Sequence, residues 1–293
     1  MKTVVPVIKV ILHASKMRVS ALGPVTGLAF VLVFSAFVSA CSCSMSSEKL
    51  EFSRAEQALQ KNDFRSAVVH FKNIVDKSVK SPLAIQSAKE LAKINHYQIK
   101  DSKEAINYYK HVVLYSSDDK ERFDAQKHIA DLHFTQTQDY SQAVVEYSRL
   151  LELPHSPIDD FAFRMALARS HFYLSNFYQA QVEIDALLAK NFDKEVLFEA
   201  LLLKANALLS SKKYDEATAI LRDLMQYYPE RSKTETIGLI LAVTYEEQKN
   251  FAKAIETLEL IKDEYPKKGF IESRIKTLKE RQSYLPGARG WRK

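Results

Sequence analysis

Glycine is nearly missing from this chain. Of 293 residues six are glycine, and only Gly238, Gly269, Gly287 and Gly290 lie beyond the first forty. Two-residue hairpin turns and glycine-rich phosphate loops both depend on that residue, so its scarcity disfavours both and points to an all-helical chain. Cysteine is scarcer still. Cys41 and Cys43 are the only two, and they stand too close together to bridge distant parts of a fold, so packing alone must hold the body. No GxxxxGK[ST], no GxGxxG after a strand, no HExxH and no GxSxG occurs. No catalytic residue and no cofactor is therefore expected. His128 and His133 are five apart, on diverging faces of a helix, and read as packing or surface histidines rather than metal ligands.

Acidic residues are missing where the chain begins. The formal charge is +6, yet residues 1–41 carry +4 and residues 267–293 carry +7, which leaves −5 for residues 42–266. A mildly acidic body lacks the coherent basic face that phosphate binding demands, so no nucleic-acid partner is expected. Charge of either sign is also missing from Ala21 to Ala40, twenty residues preceded by Lys16 and Arg18. A positive start, an apolar run and a small-residue end make a secretory signal over residues 1–40, with Met17 as an alternative start of more ordinary length. An uncleaved membrane span of the same twenty residues is the other reading, interrupted by Pro24 and Gly27.

What is present beyond residue 47 is a repeat. NDFRSAVVHF, KDSKEAINYY, QDYSQAVVEY, SNFYQAQVEI, KKYDEATAIL and KNFAKAIETL share an alanine with a large residue four positions later. The alanines are Ala67, Ala105, Ala143, Ala180, Ala217 and Ala254, at intervals of 38, 38, 37, 37 and 37. Residues three and four apart share a helix face, so each motif marks the buried stripe of the second helix of a hairpin. Twelve residues earlier, on the first helix, stand Ala55, Ala168, Ala205 and Ala242, with Lys93 and Asp131 in copies two and three. Two copies end in Tyr228-Pro229 and Tyr265-Pro266, where proline is expected to stop the second helix. The pairs Asp118-Asp119 and Asp159-Asp160 read as helix N-caps in loops between copies.

These spacings resemble the tetratricopeptide repeat, with about three or four additional residues per copy. The resemblance covers residues 48–266 and implies six stacked helical hairpins. Residues 267–283 then read as a capping helix and 284–293 as a flexible basic tail. At the other end, Val38-Ser39-Ala40-Cys41 resembles the lipobox of bacterial lipoproteins. That resemblance implies acylation of Cys41 with diacylglycerol and cleavage before it. A short tether over 41–47 follows, in which Cys43 is incidental, and the absence of Asp at Ser42 implies sorting to the outer membrane of a Gram-negative envelope.

In tetratricopeptide proteins the first helices line a concave wall. Counting from each repeat alanine puts Leu132, Met165, Phe172, Leu202, Leu239 and Val243 there, with Arg169, Asn206 and Glu246 as polar guides. An amphipathic helix or extended apolar peptide suits such a wall, while each apolar member also reads as inter-repeat core. The lysine and asparagines with which some relatives hold a carboxylate are missing, apart from Asn206. The tail offers Arg289, Trp291 and Arg292 as a second contact, for a partner or for lipid headgroups. The combination resembles the repeat lipoproteins of outer-membrane barrel assembly and, more loosely, those of pilus secretin assembly. A non-enzymatic scaffold for protein partners is the expected function. An adaptor for a peptidoglycan synthase or hydrolase, and an adaptor anchored in the inner membrane, fit the same residues.

Overall fold

The structure, a computed structural model, describes residues 47–190 and 192–284. The signal segment, the lipobox with Cys41, and the tail residues Arg289, Trp291 and Arg292 lie outside the described residues. No described helix is long and apolar enough to cross a membrane.

The described residues form helices and no strand. In order they are α1 (47–60), α2 (Phe64–Lys77), α3 (Pro82–Lys93), α4 (Ser102–Tyr115), α5 (Asp119–Thr135), α6 (Tyr140–Glu152) and α7 (Pro157–Tyr173). There follow α8 (Phe177–Leu188), α9 (Lys194–Ser210), α10 (Tyr214–Tyr227), the short α11 (Pro229–Thr234), α12 (Ile237–Glu247), α13 (Phe251–Ile261) and α14 (Lys268–Ser283). The chain divides into two compact units, Met1–Ile94 and Asn95–Lys293.

Within the first unit α2 packs on α3, around Phe71, Ile74, Ala84, Ala88 and Leu91, all essentially without exposed surface. The Phe52 ring of α1 meets Phe71 edge-on at 5.5 Å, and Glu51 accepts from Asn73 Nδ2 and pairs with His70 Nδ1 at 2.9 Å. The His70 hydrogen bond holds the Glu51 carboxyl below the usual range against the opposing effect of burial.

The second unit is built of nearest neighbours, each helix packing on the one before and the one after. Its cores are local. Tyr147, Leu150, Phe163 and Leu167 join copies three and four; Met165, Ile184, Leu187 and Ala200 join four and five; Phe198, Leu221, Leu241, Leu258, Ile271 and Leu278 run through copies five and six into α14. Quasi-one-dimensional packing of this kind is what a helical repeat produces, because no hairpin can bury its apolar face alone.

The repeat pattern explains the packing. All six repeat alanines have no exposed surface, and the large residue four later is buried in every copy: Phe71, Tyr109, Tyr147, Ile184, Leu221 and Leu258. Where Lys93 and Asp131 hold the small position by count, the buried residues are their neighbours Ala92 and Ala130. Each of these copies carries one extra residue before its second helix. Copy two takes it up in a π-helical turn, Ile94–Ile99, and copy three in the four-residue loop 136–139, where copies four to six use three.

A second periodic feature is invisible in the sequence pattern. Five residues before each repeat alanine the chain enters the left-handed region, at Asn62, Lys100, Gln138, Ser175, Lys212 and Lys249, with φ between 52 and 63°. No glycine serves any of these turns. Thr236, at φ 55° and β-branched, is the most costly such residue. We expect Thr236→Gly to raise stability by about 1 kcal/mol and Asn62→Gly to change it little, because asparagine tolerates this region. Thermal melts of the two variants decide it; equal shifts would refute the strain. Gly238 has a different role. A Cβ there would lie 2.5 Å from Ile261 Cγ2, so α12 and α13 approach as closely as they do only because the side chain is missing.

Candidate partner-binding surface

Two of the residues expected on the open wall are core. Leu132 is 1% exposed, and Met165 packs among Ala168, Ile184, Leu187 and Ala200. Helices α5 and α7 are flanked on both sides by neighbouring hairpins, and there Leu132, a ninth position by count, and Met165, a fifth, fall toward the packed side. Phe172 is half-buried and meets Phe177 edge-on at 5.5 Å and Tyr173 at 6.0 Å, within its own hairpin.

The remaining positions form ladders with a 37-residue rung. Leu202 and Leu239 occupy equivalent places on α9 and α12, half-buried against one core, and Arg169, Asn206 and Val243 stand one turn further along on α7, α9 and α12. The charged members are spoken for inside the chain. Arg169 Nη2 lies 3.7 Å from Glu199 Oε2, while Arg231 Nη2 donates to Glu199 Oε1 at 2.5 Å. Arg231 also donates to the Glu195 carbonyl and stacks 4.0 Å from the centroid of the Phe198 ring, so α11 is clamped onto α9 by a cation lying on an aromatic face. Glu246 accepts from Arg274 Nε at 2.7 Å and faces Arg281 at 3.8 Å, which fastens the capping helix. Asn206 alone among the three polar guides has no side-chain partner among the described residues.

The aspartate pairs divide. Asp118 caps α5, accepting from the amides of Lys120 and Glu121. Asp159 and Asp160 are not caps: Ser156 is, with Oγ accepting from the Asp159 amide, because Pro157 takes the first helical position and the cap is the residue before it. Asp159 instead pairs with Lys127 on α5 at 2.9 Å. Asp160 is buried and meets three cations or potential cations: Lys190 Nζ at 2.6 Å, His155 Nε2 at 3.2 Å and Arg164 Nε at 3.4 Å. Burial alone would raise its carboxyl, but the bonds from Lys190 and His155 and the charge of Arg164 overcome this and hold it below the usual carboxylate range. The second helix of copy five, α10, ends at Tyr227 just before Pro229, as expected, and Pro229 itself begins the short α11. His128 stacks on Tyr109 at 4.7 Å, and no group of three or more His, Cys, Asp or Glu side chains is placed to hold a metal among the described residues.

Sequence reasoning missed two clefts. One, of about 770 Å³, has Val113, Phe123, Leu153 and Pro154 as its apolar wall and Arg122 and Arg149 at its rim. Beneath it Gln126 donates to the buried carboxylate of Glu146, which also pairs with Arg149. The second, about 690 Å³, is polar and is formed by α10, the end of α12 and the start of α13. Both draw residues from three helices, so no contiguous motif announces them.

Two tetratricopeptide repeat family models match the sequence, over residues 165–229 and 208–281. A comparison with curated proteins finds no match. Among solved structures, a tetratricopeptide repeat protein from Parabacteroides merdae is 20% identical, covering 81% of this chain and 89% of its own, with a TM-score of 0.49. YrrB, described as a protein of this repeat class with an unusual peptide-binding site, is 17% identical over 70% of this chain and 97% of its own, with a TM-score of 0.50. PilW, a type IV pilus biogenesis factor, is 12% identical over 78% of this chain and 98% of its own, with a TM-score of 0.48. The described residues thus form an all-helical array of tetratricopeptide-type hairpins, and residues 165–281 match tetratricopeptide repeats by sequence.

Proposed function

We propose that this protein is a lipid-anchored, non-enzymatic scaffold that binds protein partners in a bacterial cell envelope, in outer-membrane protein or pilus secretin assembly. The observation that carries the binding role is the ladder on α7, α9 and α12. Its apolar members Leu202 and Leu239 are half-buried, the charges Arg169 and Glu246 are already paired, and Asn206 offers an unpaired amide between them. A peptide laid along it displaces no ion pair and finds hydrogen-bonding capacity at one fixed place. The sequence Val38-Ser39-Ala40-Cys41 supports the anchor, and the charge-free run before it supports export.

The test has two parts. The intact mass of the chain from native membranes is expected to equal residues 41–293 plus acyl groups; an uncleaved or unacylated mass overturns the anchor. A photocrosslinking residue at Asn206 is expected to capture an envelope protein that the same group at Glu256, exposed on α13, does not. Equal capture at both positions overturns the assignment of the wall.

A further inference from the structure

The polar cleft between copies five and six holds an excess of positive charge. Lys212, Lys213, Arg222 and Lys253 line it against Asp215 and Glu216, a balance of +2 in a body that carries −5. The two carboxylates do not serve the cations equally. Asp215 accepts from Gln248 Nε2 at 2.7 Å, and Glu216 lies 3.5 Å from Lys213 across an exposed gap. Lys212, Arg222 and Lys253 have no carboxylate partner among the described residues. Arg222 Nε reaches only the Thr218 carbonyl at 3.4 Å, and Lys253 Nζ stands 5.6 Å over the Tyr245 ring. Several cations elsewhere in the same unit are paired, Lys233 with Glu230 and Glu264, Lys262 with Glu272 and Arg274 with Glu246, but what sets the cleft apart is that its cations are gathered in one place.

Local sequence also runs against stability here. At the position four before the repeat alanine, five copies carry Asp63, Asp101, Asp139, Asn176 and Asn250; copy five carries Lys213. A lysine cannot accept from the helix amides, and gathering like charges without counter-ions costs free energy. Nothing in the packing compensates, as Lys212 and Lys213 are both exposed.

We propose that this cleft binds an acidic peptide segment of a partner protein, which deepens the scaffold reading and rests on it. Several features favour a peptide over a simple anion. The cleft is open, its volume is about 690 Å³, and its cations come from the loop before α10, from α10 and from α13. At physiological salt charges act over about 8 Å, so a short acidic segment seated in the cleft feels its cations directly.

The experiment uses the full chain and a fluorescein-labelled peptide of alternating glutamate and glycine, followed by anisotropy. Saturable binding is expected that weakens with salt. The pair Arg222→Ala with Lys253→Ala is expected to lose at least about tenfold in affinity. Lys267→Ala with Lys276→Ala, which removes the same charge on and beside the capping helix, leaves it unchanged. No binding, or equal loss in both variants, overturns the proposal. So does stronger binding of phosphatidylglycerol vesicles or inorganic phosphate at equal charge, or a self-association of the chain that the cleft variants abolish while the peptide stays unbound. Unchanged melting curves establish that the variants fold. Failure of the cleft with partner capture at Asn206 intact removes this inference and leaves the scaffold reading in place.

Discussion

Asp160→Ala lowers the stability of the second unit by about 2–3 kcal/mol, the largest loss expected from any single charged residue in the protein. The carboxylate is 8% exposed and joins three parts of the chain: the loop before α7 through His155, α7 itself through Arg164, and the loop after α8 through Lys190. Arg164 continues the network to Glu183 on α8 at 2.9 Å. Removing the acid leaves Lys190 and Arg164 facing one another around an empty site, and it is this uncompensated charge, more than the lost bonds, that costs. Lys190 is 43% exposed and can turn to solvent, which keeps the loss below that of a fully buried pair. In a unit of this size 1 kcal/mol moves the melting temperature by roughly 2–4 °C, so a drop of about 5–10 °C is expected by circular dichroism. Asp160→Asn, which keeps the shape and one acceptor, loses less. A shift under about 1 °C for the alanine variant would mean that solvent already screens the network.

The parts of this fold that were legible in the sequence are those set by a local period. Ala67 through Ala254 and their large partners four residues on are buried as the spacing requires, since one helix face decides both. Ala92 and Ala130 were hidden because an extra residue in a turn shifts the count without changing the packing, and the sequence does not say where a helix widens into a π turn. Leu132 and Met165 were misplaced for a related reason. Counting gives the face of a helix, but how much of that face the next hairpin covers depends on helix crossing, which no single segment encodes. Long-range charge pairing was illegible altogether: Asp160 with Lys190, Glu199 with Arg231 and Glu246 with Arg274 are 28 to 32 residues apart. Asp159-Asp160 had the composition of a cap, and only Pro157 betrayed that Ser156 holds that role. Lys213 was in plain view as a departure from five acidic or amide residues, though what it departs from became clear only once the capping bonds of Asp63, Asp101 and Asp139 were seen.

The second unit is expected to lose stability steeply as pH falls from 7 to 5, through three histidines kept neutral. His96, His133 and His171 each have a buried ring nitrogen without a hydrogen-bond partner: Nδ1, Nε2 and Nδ1. Burial pushes all three below the ordinary histidine range. For His96 the charge of His128 adds to this and Asp131 opposes it; for His133 Asp139 and Glu146 oppose and Lys110 adds; for His171 only Glu183 opposes. Above about pH 6.5 both folded and unfolded chains carry the rings neutral, and they contribute no pH dependence. Below it the unfolded chain takes up protons that the folded one resists, so stability falls until the pH passes the lowered folded values. The carboxylates run in the same direction in a separate window. Asp139, Asp159 and Asp160 are held below their usual range when folded, so what they contribute is intact above about pH 4 and is lost only beneath it. Urea melts at pH 7, 6 and 5 therefore isolate the histidines. His133→Gln with His171→Gln is expected to cost some stability at pH 7, because the buried polar contacts change, and to flatten the fall between pH 7 and 5. An undiminished slope in that variant would place the acid sensitivity elsewhere in the unit.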